Sequence, residues 1–140
     1  MKKSLLFLFM MISSVALAQS PESQKVKYTT IKQKVCPNQR GFQVVLKAVV
    51  SDSRCPEGVT CIWAGEANAV VSVYKDSKWI EDTTLVFSMK NEEDNKKWFS
   101  KYLPEKQKKI KSISVVPYPK EGSKINPEEY YLKFGYLKQD

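Results

Sequence analysis

Apolar and polar residues alternate along most of the chain, the period-two mark of strands that bury one face. Ordered structure is expected from about Val26. Phe42, Val44, Leu46, Ala48 and Val50 fall on one side of a long strand, with Val45 and Val49 on the other. Apolar residues on both sides predict a central strand covered on both faces. Ala69, Val71 and Val73 alternate with Val70, Ser72 and Tyr74 in a second such strand. Thr83 to Ser88 is β-branched and aromatic, which suits a pleated, half-buried surface. Ile113 and Val115 mark a further strand, ended by Pro117 and Pro119. Tyr130, Leu132, Phe134 and Tyr136 line one face of the last.

One segment departs from this period. Trp98, Phe99, Tyr102 and Leu103 share a face at helical spacing, and Pro104 stops the run. Asn91 stands where a cap belongs, and Glu92, Glu93 and Asp94 follow in the first turn, where carboxylates suit the helix dipole. A short helix from Asn91 through Tyr102 is predicted, its aromatic stripe docked on the core. Pro37 to Gly41 reads as a hairpin loop, and Asn126-Pro127 opens a turn before the last strand. The sum is an all-β chain, an antiparallel β-sandwich of about seven strands with one short helix inserted; a partly closed barrel is the alternative.

The first residues belong to another pattern. Lys2 and Lys3 precede the apolar run Leu5 to Ile12, and Ala16-Leu17-Ala18 presents small side chains to a signal peptidase. We expect a signal peptide over 1–18, a flexible leader over 19–25 and one domain over 26–140, exported to the periplasm or beyond. The apolar run is too short to span a bilayer, and no later segment is long enough. Loss of Lys2 and Lys3 with the signal takes the formal charge from +8 to +6.

Export makes a disulfide the default state for close cysteines. In Asp52-Ser-Arg-Cys-Pro-Glu-Gly-Val-Thr-Cys-Ile-Trp-Ala-Gly-Glu66, Pro56 and Gly58 supply a bend between Cys55 and Cys61. Chain entropy alone favours Cys36–Cys55 over Cys55–Cys61, roughly 3.3 against 2.4 kcal/mol, a gap smaller than the strain such bonds often carry. The local turn therefore decides for Cys55–Cys61 and leaves Cys36 as an unpaired, partly buried thiol. Asp52 and Arg54, two apart in extended chain, are placed to pair. Trp63 is expected to anchor the segment, on the disulfide or under the Arg54 guanidinium. Gly65 permits a bend before the strand that follows Glu66. The segment thus reads as a structural corner; the competing reading is a rigid recognition loop presenting Glu57 and Thr60.

The pattern D-S-R-C-P-x4-C-x-W-x-G-E resembles one found in small secreted bacterial proteins of unknown function. The resemblance covers Val44 to Val73 and extends loosely to Pro117-Tyr118-Pro119 and the Tyr-rich last strand. It implies a β-sandwich and gives no mechanism.

Reaction chemistry is thin. The chain has no histidine, which removes Ser-His and Cys-His pairs and the commonest zinc ligand. Phosphate loops, EF-hand loops and nucleophile elbows are absent from the sequence. Asp52 and Glu66 remain as a formal two-carboxylate pair, but Arg54 is the simpler partner for Asp52. No cofactor or metal is expected. Lys106, Lys108 and Lys109 centre a run of seven lysines from Lys96 to Lys111, a candidate patch for anionic lipid or acidic glycan rather than for specific nucleic acid. The expected role is that of a non-catalytic module of the cell envelope or medium, structural or interacting with a protein or an anionic envelope component. The alternative is an inhibitor of an exported enzyme that inserts the loop from Arg54 to Cys61.

Overall fold

A computed structural model of the chain describes residues 25–33, 36 and 39–137. The expected signal peptide (1–18), the leader up to residue 24, and Pro37 and Asn38 of the expected hairpin loop lie outside the described residues. Six strands and one α-helix form among the rest. They are β1 (Val26–Ile31), β2 (Phe42–Asp52), β3 (Ala67–Lys75), β4 (Lys78–Phe87), α1 (Glu92–Ser100), β5 (Ile110–Val116) and β6 (Tyr131–Leu137). Six strands stand where about seven were expected; β2 and β4 are the longest, at eleven and ten residues. They form two antiparallel sheets in the orders β2-β3-β4 and β1-β6-β5.

One core cluster joins the sheets. Ala67, Ala69 and Val71 of β3, with Leu46 and Leu85 beside them, meet Val115, Leu132 and Phe134 of the second sheet. The helix closes it: Phe99 is fully buried and stands edge-to-face against Phe134, ring centroids 4.8 Å apart. Trp98, Tyr102 and Leu103 pack around the same cluster, as the helical stripe predicts. Asn91 precedes the helix but makes no side-chain cap bond; its Oδ1 instead accepts from Ser88 Oγ at 2.7 Å.

β2 is an edge strand and not the central one its two apolar faces suggest; β3 is central. Two register shifts, between Leu46 and Ala48 and between Val49 and Ser51, explain the misreading. Each inserts a residue and swaps the faces that follow. Val44 and Leu46 therefore face the core, but beyond the first shift it is Val49 that packs there and Val50 that is exposed. β3 and β4 are joined by Asp76-Ser77, both at positive φ (50° and 66°), the geometry that matches strand twist in two-residue hairpins. This tight turn extends β4 back to Lys78, five residues before the expected start at Thr83.

Candidate functional site

Between β2 and β3 the chain leaves the sheet and returns as a loop with a braced base. Ser53 N–H donates to Glu66 O at 2.8 Å and Cys55 N–H to Ala64 O at 3.0 Å, so the two legs continue the β2–β3 ladder outward. Above them Cys55 and Cys61 are bonded, their Cα atoms 5.9 Å apart, as the turn between them predicts. The loop is also tied sideways to the chain after β5: Glu57 N–H donates to Pro119 O at 2.9 Å, and Glu121 N–H to Glu57 O at 3.3 Å.

Beneath the loop, Arg54 clamps the two sheets together. Its Nε–H donates to Asp52 Oδ1 at 2.8 Å and its Nη2 to Asp52 Oδ2 at 2.5 Å, the bidentate pair expected from the two-residue spacing. The remaining donors cross to the second sheet, Nη1 to Val115 O at 2.5 Å and Nη2 to Pro117 O at 2.8 Å. The Tyr118 ring lies 4.8 Å from the guanidinium carbon, and Tyr130 Oη–H donates to Asp52 Oδ2 at 3.1 Å. Both charged side chains are only 9% exposed. A charge buried to that degree persists when paired and hydrogen-bonded, and here every charged atom of the pair has a partner.

The network sets a pH dependence. Burial pushes the Asp52 carboxyl up, but the Arg54 bonds and the Tyr130 hydroxyl outweigh it and hold the group below its ordinary 3.8. Burial and then the Asp52 bond push the Tyr130 hydroxyl above its ordinary 10.0. A carboxyl whose folded pKa is depressed contributes stability above its unfolded pKa and loses it as pH falls through the folded value. The stability gap between wild type and Asp52→Asn is therefore expected to be full at about pH 7 and to narrow as pH falls below the ordinary 3.8, read by urea unfolding across that range. A gap that stays constant to about pH 2.5 removes Asp52 as the titrating group.

The crest of the loop is where expectation and structure part. Trp63 is 81% exposed and Ile62 95% exposed, with Val59 exposed beside them. Trp63 is no packed anchor; Tyr118 holds the place at the Arg54 guanidinium that Trp63 was expected to take. The reason is steric and non-local. Arg54 turns inward to reach the carbonyls of Val115 and Pro117, and the ring that meets it is that of the next residue, Tyr118. Gly65 has φ +71° and marks the bend before β3, as expected. Glu66 is exposed, with its carbonyl in the ladder. Its partner in the formal two-carboxylate pair, Asp52, is committed to Arg54 and Tyr130. Beside the loop base lies an open groove of about 300 Å³, walled by Gly65, Phe87, Met89, Ile113, Val115 and Tyr118. Met89 is exposed at its rim.

Elsewhere the candidate residues are scattered. Cys36 is unbonded, as expected, but exposed rather than partly buried. Glu57 and Thr60 are exposed. Lys106 and Lys109 are exposed, while Lys108 pairs with Glu105. Earlier in the same run Lys96 lies 2.9 Å from both Glu92 and Glu93, and Lys97 lies 3.6 Å from Asp94. Carboxylates thus interleave the lysine run. Among the described residues no three His, Cys, Asp or Glu side chains group as a metal ion requires, and no helix is long and apolar enough to cross a membrane. Tyr118 and Tyr130 complete the Arg54 network and were missed as members of it. Their only sequence signals are the proline pair around Tyr118 and the start of the last strand. No known protein family, curated protein or solved structure matches the chain.

Proposed function

We propose that this chain is an exported, non-catalytic β-sandwich module that binds a protein partner through the apolar crest of its stapled loop, Val59, Ile62 and Trp63. The observation that carries the reading is the exposure of Ile62 and Trp63, 95% and 81%, on a loop that is stapled by a disulfide and braced at its base and along one side. A loop fixed in advance loses little entropy on binding, and tryptophan is the residue most enriched among interface hot spots. The signal-like residues 1–18 and the disulfide support export. The commitment of Asp52 to four donors supports a structural rather than a catalytic use of that carboxylate.

An inhibitor of an exported enzyme is one form of the same proposal. Glu57 to Thr60 are all exposed, as an inserting ridge requires. Arg54 is turned inward, so Val59, Ile62 and Trp63 are the side chains offered to a cleft.

The test uses a photo-crosslinking residue at position 62, with one at the exposed Lys124 as control, in cells of the source organism. A discrete adduct at 62, absent at 124 and lost with Trp63→Ala, supports the reading. The same substitution should move the melting temperature by no more than about 2 °C, as for surface changes generally. An adduct that survives Trp63→Ala refutes it. So does a loss of about 3 kcal/mol or more, which would mean a packed indole.

A further inference from the structure

The outer face of the β2-β3-β4 sheet carries a groove. In a sheet with one face in the core, the other is ordinarily polar. Here the outward positions of β3 are Asn68, Val70, Ser72 and Tyr74, since Ala67, Ala69, Val71 and Val73 point inward. The register sets Val45 opposite Ser72, and Trp79 opposite Tyr74. Val45 and Ser72 are buried, yet no other strand or helix lies among the residues that wall the groove over them. That groove measures about 280 Å³, close to the lower end of small-ligand sites. Val45 and Ser72 lie in it with Tyr74, Trp79, Lys47 and Asp82.

Its polar groups are organised around one carboxylate. Asp82 Oδ1 accepts from Ser72 Oγ at 2.6 Å and from Trp79 Nε1 at 3.0 Å, and Oδ2 accepts from Lys47 Nζ at 2.6 Å. The Trp79 bond holds a 59% exposed indole in place. The Lys47 bond cancels the formal charges of the groove, although the chain as a whole is basic. The same face has a deficit of donors. Gln43 Oε1, on the residue opposite Tyr74, and Asn68 Oδ1 are buried and have no hydrogen-bond partner. A buried oxygen of this kind is costly to leave without a donor.

We infer that this groove binds a neutral oligosaccharide, with a sugar ring on the Trp79 indole beside Tyr74. A pyranose offers an apolar C–H face to the ring and hydroxyls on its rim. Those hydroxyls donate to Asp82 and accept from Lys47, both of which line the groove. An anion is disfavoured because it must compete with Asp82 for Lys47. An apolar protein segment is disfavoured because it would strip water from the ion pair and return nothing.

The experiment is affinity electrophoresis of the mature protein under native conditions. The gels contain hydroxyethyl cellulose, a soluble β-1,3-glucan or galactomannan, with alginate as the anionic comparison. At least one neutral polymer is expected to retard wild type and Trp63→Ala alike. Trp79→Ala should weaken that retardation by about tenfold or more, as for loss of a central aromatic contact. Trp79→Phe, which keeps a ring but loses the bond to Asp82, should fall between. Circular dichroism melts of each variant show that the fold is intact. Retardation by alginate alone, by no polymer, or equally with Trp79→Ala overturns the inference. So does a wild-type dimer that Trp79→Ala converts to monomer without any retardation, since the face then belongs to a second copy.

Discussion

Arg54→Ala is expected to lower stability by about 3–5 kcal/mol, the usual loss when one partner of a buried ion pair is removed. The substitution takes away four bonds at once. Asp52 is left as a carboxylate that is 9% exposed in the wild type and has lost its cation, with only the residue-54 backbone N–H at 3.2 Å and the Tyr130 hydroxyl at 3.1 Å still donating. The carbonyls of Val115 and Pro117 lose the donors at 2.5 and 2.8 Å that tie β5 and the chain beyond it to the loop base. Lysine is a poor replacement, because a single ammonium cannot fork to a carboxylate and reach two carbonyls together. Arg54→Lys is therefore expected to recover little of the loss. Removing both charges with Asp52→Asn/Arg54→Met should cost less than Arg54→Ala alone, since no uncompensated charge remains. Equilibrium urea unfolding of the four proteins gives these numbers. A loss below about 1 kcal/mol for Arg54→Ala would place the pair with surface ion pairs and dissolve the clamp.

How much of this was legible depends on whether the cause was local. The Asp52–Arg54 pair and the Cys55–Cys61 bond were readable, because spacing and turn chemistry within ten residues determine both. So were the inward faces of β3 and β6 and the aromatic stripe of α1, where an unbroken period meets one core. The pattern failed where a partner far along the chain decided the outcome. Trp63 follows the staple and precedes an apolar strand, but the aromatic place beside Arg54 belongs to Tyr118. The shifts in β2 carry no glycine or proline to announce them, so the alternation reads straight through Lys47 and Val50. The apolar outer face of β2 is visible in the sequence as Val45, and an apolar residue there predicts a covering layer. The carboxylates that interrupt the lysine run stand one turn away in the sequence at Glu92, Glu93, Asp94 and Glu105, and a count of lysines alone passed over them.

Gly65→Ala should be as damaging as loss of Arg54, for a reason confined to backbone. Gly65 has φ +71°, where a side chain costs roughly 1–2 kcal/mol by itself. A Cβ there would also lie 1.9 Å from Ser53 O, 2.6 Å from Ser53 C and 2.9 Å from Arg54 Cα. None of these is the end of a flexible side chain that can swing aside. Relief requires the two legs of the loop to part, and the bonds from Ser53 N–H to Glu66 O and from Cys55 N–H to Ala64 O lie on either side of the contact. Arg54 moves with that leg, so its donors leave Asp52, Val115 and Pro117 together. Overpacking a fixed site costs about 1–3 kcal/mol and sometimes more, and with the backbone term the expected loss is about 3 kcal/mol or above. Gly122→Ala separates the two contributions. Gly122 has nearly the same φ, +69°, with nothing within 4 Å of the added Cβ, so that variant should lose only the conformational part. Urea unfolding of both variants, with crosslinking from position 62 as a readout of loop geometry, decides the matter. If Gly65→Ala loses no more than Gly122→Ala, the two legs are not held as closely as the ladder bonds indicate, and the braced loop is not rigid.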